Sequence, residues 1–172
     1  MKKSNKKLIV FTCAFAASIL LLAGLSNLFK TDELTGFKKV YSNVTYIDAN
    51  DGDTARFLIN GENVKCRFIA IDTPEITSDD PYSKEAREYT RERLDNASDI
   101  KLAIDEKSDE YDKFDRLIVW VFVDGELLQK ELVKNGLAKV KYIYDDYKYV
   151  DELNKLQDYA KDNKLGIWSI KK

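Results

Sequence analysis

Two β-like runs joined by a two-residue turn constrain this chain more than any other feature. Thr54-Ala55-Arg56-Phe57-Leu58-Ile59 and Glu62 to Ile71 flank Asn60-Gly61. That dipeptide accepts the positive φ angles a tight hairpin turn demands. On the returning run Val64, Cys66, Phe68 and Ala70 share one face by the period of two, and Arg67 falls on the other. Cys66 therefore reads as a core residue. The run ends in charge, as Asp72-Thr73-Pro74-Glu75. A strand that merely ended in solvent would not need Arg67 inside an apolar run. Asp51-Gly52-Asp53-Thr54 lies upstream and Lys113-Phe114-Asp115-Arg116 downstream. Together they offer carboxylates for a hard metal ion and two guanidiniums for a phosphate, a combination suited to phosphodiester hydrolysis.

The rest of the chain supplies further short elements. Val44 to Ile47 reads as a strand followed by a turn over Asp48 to Gly52. Tyr82 to Ala97 reads as a helix, with Ala86, Tyr89 or Thr90, Arg93 and Leu94 at helical spacing. Ile100 to Ile104 and the wholly apolar Leu117 to Val123 read as strands. Leu127 to Val133 is a short helix ended by Asn135-Gly136, and Tyr147 to Lys164 is a last helix striped by Val150, Leu153, Leu156 and Ala160. About five strands with helices inserted late predict an α+β protein, a small barrel packed on helices.

Composition excludes several chemistries. The chain of 172 residues has no His, which removes His bases and His-based zinc sites. Its two cysteines are Cys13 and Cys66. Cys13 lies in an N-terminal apolar run, so neither a folding disulfide nor a Cys-rich metal site is expected. Any metal must be a hard cation bound by oxygen. An EF-hand fails too, because placing Gly52 sixth in the loop puts Ile47 first and Leu58 last.

The N-terminus differs from the rest. Lys2, Lys3, Lys6 and Lys7 precede an apolar run from Leu8 to Leu25. This reads as a cleaved export signal or an uncleaved anchor. The run would be roughly 27 Å long as a helix. The expected division is therefore 1–30, signal or anchor with the start of a linker, and 31–172, the exported domain. Five basic residues and no acid lie in residues 1–30, which leaves 23 basic against 30 acidic residues and a net charge of −7 for the domain. Bulk electrostatics thus oppose tight nonspecific nucleic-acid binding, and such chemistry must come from a local site.

Five ordered pieces carry a resemblance. They are Asp51-Gly52-Asp53-Thr54, Arg67 with Asp72-Thr73-Pro74-Glu75, Asp112-Lys113-x-x-Arg116, Gly136-Leu137-Ala138-Lys139-Val140, and Leu165-Gly166-Ile167-Trp168-Ser169. In this order and spacing, over about residues 40–170, the chain resembles the thermonuclease (staphylococcal nuclease-like) family. The resemblance implies an OB-type five-stranded β-barrel with three α-helices. It also implies calcium-dependent hydrolysis of DNA and RNA, leaving 3′-phosphate and 5′-hydroxyl ends. It assigns Asp53 and Asp72 as Ca²⁺ ligands through their carboxylates and Thr73 through its carbonyl. Glu75 would orient or deprotonate the attacking water, Arg67 and Arg116 would grip the scissile phosphate, and Lys113, Tyr142 and Tyr144 would contact the nucleotide. A monomer, secreted or held on the outer membrane face, is expected.

Plainer roles compete residue by residue. Asp51-Gly52 also reads as a hairpin turn, Arg116 has Asp112 and Asp115 as ready ion-pair partners, and Tyr147 and Tyr149 read as packing residues. The chain departs from the family pattern at three places. Phe114 stands for the usual Tyr and Asp115 for the usual Gly, and the loop Ile76 to Lys84 is short and acidic at Asp79-Asp80. Asp115 is expected to weaken the phosphate-binding charge of Arg116. The rival reading is a non-catalytic OB-fold module that binds nucleic acid or protein. Retention of Asp53, Arg67, Asp72, Glu75 and Arg116 favours the enzyme, and the acidic domain favours the module.

Overall fold

The computed structural model describes residues 36–170. The N-terminal signal or anchor lies outside the described residues, as does nearly all of the linker. The expected hairpin forms as β3 (Thr54–Ile59) and β4 (Glu62–Phe68) in antiparallel register, with Thr54 opposite Arg67 and Ala55 opposite Cys66. The other strands are β1 (Phe37–Tyr41), β2 (Val44–Ala49), β5 (Ile71–Asp72), β6 (Ile100–Asp105), β7 (Leu117–Val123), β8 (Glu126–Leu127) and β9 (Lys139–Val140). The main sheet runs β1-β6-β7-β4-β3-β2, with β8 on β7, while β5 and β9 form a separate pair. Three helices accompany it among the described residues: α1 (Ser83–Asp95), α2 (Leu128–Lys134) and α3 (Val150–Asp162). The class is α+β and the arrangement OB-type, as expected.

Two details differ from the sequence reading. The sheet is not closed into a barrel by hydrogen bonds. Its end strands β1 and β2 follow one another in the chain through Ser42 and Asn43, but they pair with β6 and β3 respectively. Each carries a register irregularity, at Phe37/Lys39 and at Tyr46/Asp48, where the strand bends. The second difference is that the run from Glu62 to Ile71 is not one strand. It breaks after Phe68, where Ile69 N–H donates to Val119 O and Ala70 takes a left-handed φ of 64°.

The unbroken apolar run of β7 reflects burial on both faces. Trp120, Val119, Val121 and Val123 are fully buried. Gln129, on the buried side of α2, continues the backbone pairing of β7. Its Nε2 donates to Val119 O at 2.9 Å and its Oε1 accepts from Val121 N at 3.1 Å. A polar side chain is thus tolerated in the core because it satisfies strand groups that would otherwise be orphaned. Helix α1 buries Ala86, Thr90 and Leu94, close to the predicted stripe, and α3 buries Leu153 and Ala160. Tyr147 and Tyr149 pack as expected. Tyr147 is buried, and the Tyr149 ring meets Trp120 edge-on at 5.2 Å. Beyond α2, Gly136 has φ +67°, and a Cβ there would fall 2.3 Å from Leu165 O. Only glycine lets the Leu165-Gly166 segment dock at that helix end.

Candidate active site

The site begins at the loop between β2 and β3. Asp53 N–H donates to Asp51 Oδ1 at 3.1 Å, and Asn50 N–H to Thr54 O at 2.9 Å. Thr90 of α1 donates through Oγ1 to Gly52 O at 2.7 Å. A Cβ on Gly52 would stand 2.8 Å from both Ala86 Cβ and Thr73 Cγ2. The glycine therefore serves close approach of the loop to the helix. Asp51-Gly52 is a turn, as its sequence allows, and the turn sets Asp53 into the end of the β3–β4 ladder. There Asp53 O accepts from Phe68 N–H at 2.8 Å.

Asp53 is only 4% exposed. Such a carboxylate needs partners. Oδ2 accepts from Thr73 N–H at 2.7 Å, and Oδ1 from Thr54 Oγ1 at 3.1 Å. Arg67 Nη1 lies 3.0 Å from Oδ1. Burial still pushes the Asp53 carboxyl up, to about 7, against the pull of Arg67, and neighbouring Asp51 adds to the rise. Arg67 itself is 13% exposed. It donates to Phe68 O at 3.0 Å and reaches Asp72 Oδ1 at 3.5 Å. A guanidinium suits this bridging role because its donors are fixed in one plane.

The left-handed Ala70 swings the chain so that β5 runs beside β9, with Asp72 opposite Lys139. That turn brings Asp72 and Thr73 back toward Asp53. Asp72 Oδ2 accepts from Lys141 Nζ at 2.8 Å. Thr73 is buried, and its Oγ1 has no hydrogen-bond partner. Glu75 is exposed, and its carboxylate makes no ion pair among the described residues. Its backbone is tied to Asp80, whose Oδ2 accepts from Glu75 N–H at 3.3 Å and whose N–H donates to Glu75 O at 3.3 Å. One of the two acids in the short loop therefore shapes the loop.

Arg116 precedes β7, which runs parallel to β4 with Ile118 opposite Arg67. Of its two sequence neighbours, Arg116 pairs with Asp112. Asp112 Oδ2 accepts from Nε at 2.7 Å and Nη2 at 2.6 Å, while Oδ1 accepts from Phe114 N–H and Arg116 N–H at 2.9 and 3.0 Å. Burial opposes the charged form of Asp112, but these hydrogen bonds outweigh it and hold the carboxyl below its usual range. Asp115 makes no ion pair with Arg116 among the described residues. It sits exposed at φ 56°, the left-handed corner of the turn, and does not line the cleft.

These elements surround a cleft of about 960 Å³. It is lined by Asp53, Arg67, Asp72, Glu75, Lys113, Arg116, Tyr142 and Tyr144. Thr73 lies behind it, against Asp53. Phe114 is 66% exposed, with Lys113 Nζ 5.0 Å and Arg116 Cζ 5.4 Å from its ring centre, so a stacking face remains where the hydroxyl is lost. Tyr144 is 80% exposed, and Tyr142, at φ 59°, lies 5.7 Å beneath the Arg67 guanidinium. The sequence reading missed Lys65, Tyr111 and Lys141. Lys65 shares the face of Arg67 by the period of two, which could have revealed it. The tie from Lys141 to Asp72 spans 69 residues and left no local signal.

The sequence profile of the staphylococcal nuclease homologue family matches residues 65–170. The chain belongs to this family. It is 39% identical over 137 residues to Endonuclease YncB of Bacillus subtilis (strain 168), covering 77% of this chain and 64% of that protein. It is 40% identical over 131 residues to the SPbeta prophage-derived endonuclease YokF of the same strain, covering 73% of this chain and 44% of the relative. Against the Thermonuclease of Staphylococcus hyicus it is 31% identical over 174 residues, covering 98% and 99%. The chain thus spans less than two thirds of the length of the two Bacillus relatives.

Among the described residues no group of three or more His, Cys, Asp or Glu side chains forms a metal centre. The donors expected from the sequence are fewer, namely Asp53, Asp72 and the Thr73 carbonyl. All are hard oxygens, and the partnerless Thr73 Oγ1 lies in the residue bonded to Asp53. This set fits a hard divalent cation whose remaining positions are filled by water.

Proposed function

We propose that the protein is an exported, calcium-dependent nuclease that hydrolyses phosphodiester bonds of DNA and RNA, leaving 3′-phosphate and 5′-hydroxyl ends. The observation that carries this reading is the convergence of Arg67, Arg116, Asp53, Asp72 and Glu75 on one cleft. The names of the relatives, endonuclease and thermonuclease, support the reaction class. Bound at Asp53, Asp72 and the Thr73 carbonyl, Ca²⁺ would supply positive charge that offsets that of the phosphate.

Within the chain, Arg67 and Arg116 present planar donors to the phosphate oxygens and stabilise the charge that grows in the transition state. Glu75, with its carboxylate unpaired, orients a water and takes its proton; no His exists to do so. Attack at phosphorus breaks the bond to the 5′ oxygen, which takes up a proton from solvent and leaves as the hydroxyl end. Lys113, Tyr142 and Tyr144 border the same cleft and contact the nucleotide, with Phe114 offering a further ring. The chain acts as a monomer. The lysine-flanked apolar run directs it outward, as a secreted protein or one held on the outer membrane face.

The test is cleavage of labelled DNA and RNA in Ca²⁺, in Mg²⁺ and in EDTA, with Glu75→Gln as the chemical control and end-group analysis of the products. Cleavage in Ca²⁺ alone, lost in Glu75→Gln, is expected. Full activity in EDTA overturns the mechanism. The net charge of −7 over residues 31–172 favours the second reading, a binding module without catalysis. That reading predicts retention of oligonucleotide or a protein partner without cleavage in any cation.

A further inference from the structure

Asp72 stands between two cations of very different freedom. Arg67 is 13% exposed and tied to Asp53 and to Phe68 O, so it cannot leave without stripping a buried carboxylate. Lys141 is 50% exposed and touches Asp72 through one contact, Nζ to Oδ2 at 2.8 Å. Its backbone is fixed just beyond β9, where Lys141 N–H donates to Ala70 O at 3.0 Å. The ammonium thus reaches Asp72 from an anchored base on a flexible four-carbon stem. It also lies 4.7 Å from the Tyr142 ring centre, a face on which a cation can rest when its carboxylate is taken.

Asp53 faces Arg67, and Asp72 faces both Arg67 and Lys141. A divalent cation entering here meets carboxyl groups already engaged by cationic side chains. We propose that Lys141 is a tethered counter-ion of Asp72 that an incoming divalent cation must displace, so that this one side chain sets how weakly the cleft holds calcium. The inference rests on the calcium reading above. It adds a residue that acts against the cation, through competition for Asp72 Oδ2. A surface-accessible ammonium can do this, where a second buried guanidinium would close the site.

The experiment is calorimetric titration of Ca²⁺ into the purified full chain, wild type and variants, without substrate. Lys141→Met should bind Ca²⁺ about two- to fivefold tighter than wild type, the scale of a half-exposed ion pair. The gap should narrow as KCl is raised, because the pair is screened. Lys141→Arg, which keeps the charge, should stay near wild type. Lys107→Met is the control for charge alone. Lys107 lines the same cleft but pairs with Asp145 and Asp146, so its loss should change little. Asp72→Asn should bind far more weakly than any of these. Equal affinity in wild type and Lys141→Met, with Asp72→Asn impaired, overturns the proposal and leaves the calcium reading intact. Equal tightening in Lys107→Met and Lys141→Met also overturns it, because the effect is then not local. Titrations without heat in every protein, with no calcium-induced rise in Tm, remove the calcium reading and this proposal with it.

Discussion

Asp112 is the residue whose removal tests most directly how the cleft holds its phosphate-binding charge. Its carboxylate accepts two side-chain bonds from Arg116, at 2.7 and 2.6 Å, and two backbone bonds from the turn, at 2.9 and 3.0 Å. Asp112→Ala frees the guanidinium and loosens the turn together. An arginine carries roughly 2 kcal/mol of rotamer entropy, and each 1.36 kcal/mol is about tenfold in rate. An unpinned Arg116 should therefore cost up to about thirtyfold in kcat/KM. Complete loss of the group, in Arg116→Ala, should cost roughly 10²–10³-fold. Because Asp112 acts through Arg116, Asp112→Ala should add little in the Arg116→Ala background. The assay is a quenched fluorescent oligonucleotide at saturating Ca²⁺, with kcat and KM resolved for both single variants and the double variant.

Two results would refute this account. Independent effects that multiply in the double variant would mean that Asp112 does not act through Arg116. A faster Asp112→Ala enzyme would mean that the carboxylate mainly neutralises the guanidinium. Stability supplies a second readout with a defined sign. The Asp112 carboxyl is held below its ordinary 3.8 in the folded protein. A lowered folded value means that its contribution is fully present well above the unfolded value of 3.8 and is lost as pH falls through the folded value. Wild type should exceed Asp112→Ala in urea midpoint at pH 6, and the gap should narrow as the pH is taken below 3.8.

Two further substitutions separate packing from chemistry. Gly52→Ala should lower stability by about 1–3 kcal/mol, the usual cost of overpacking, and reduce cleavage as well. Its Cβ would press on Ala86 and Thr73 and displace the loop that carries Asp53; an unchanged urea midpoint would sink this. Asp115→Gly should stabilise the fold by roughly 0.5–1 kcal/mol, because the left-handed φ of 56° costs a residue with a Cβ more than it costs glycine. KM for a short oligonucleotide should not change, even at low salt. A lower KM would mean that this acid acts on the phosphate.

What was legible in the sequence followed from local rules. The hairpin at Asn60-Gly61, the helix of Ala86, Thr90 and Leu94, and the alternation that separates Arg67 from Cys66 each depend on spacing within one element. The misread places depend on geometry between elements. The strand from Glu62 breaks at Ala70 because the chain must turn to pair Ile71 and Asp72 with Val140 and Lys139. An alanine at φ 64° gives no sign of such a turn. Asp115 is adjacent to Arg116 in sequence, yet it sits exposed at a left-handed corner of the turn. Asp112, four residues away, closes the turn instead.

The acidity of the domain was the strongest argument against nucleic-acid chemistry, and the cleft shows how much of that argument survives. Net charge matters at long range, but beyond a Debye length of about 8 Å at physiological salt it is largely screened. At contact distance the arrangement decides. Asp53 is buried beneath Arg67, Asp72 is shared between Arg67 and Lys141, and Asp112 is occupied by Arg116 and the turn. The acids nearest the guanidiniums thus hold them in place, in a cleft whose lining as a whole stays acidic, with Asp51, Glu75 and Asp109 on it. An acidic chain can in this way offer a phosphate two fixed guanidiniums at contact distance. It does so without the basic surface that would make every stretch of nucleic acid a competitor for the site.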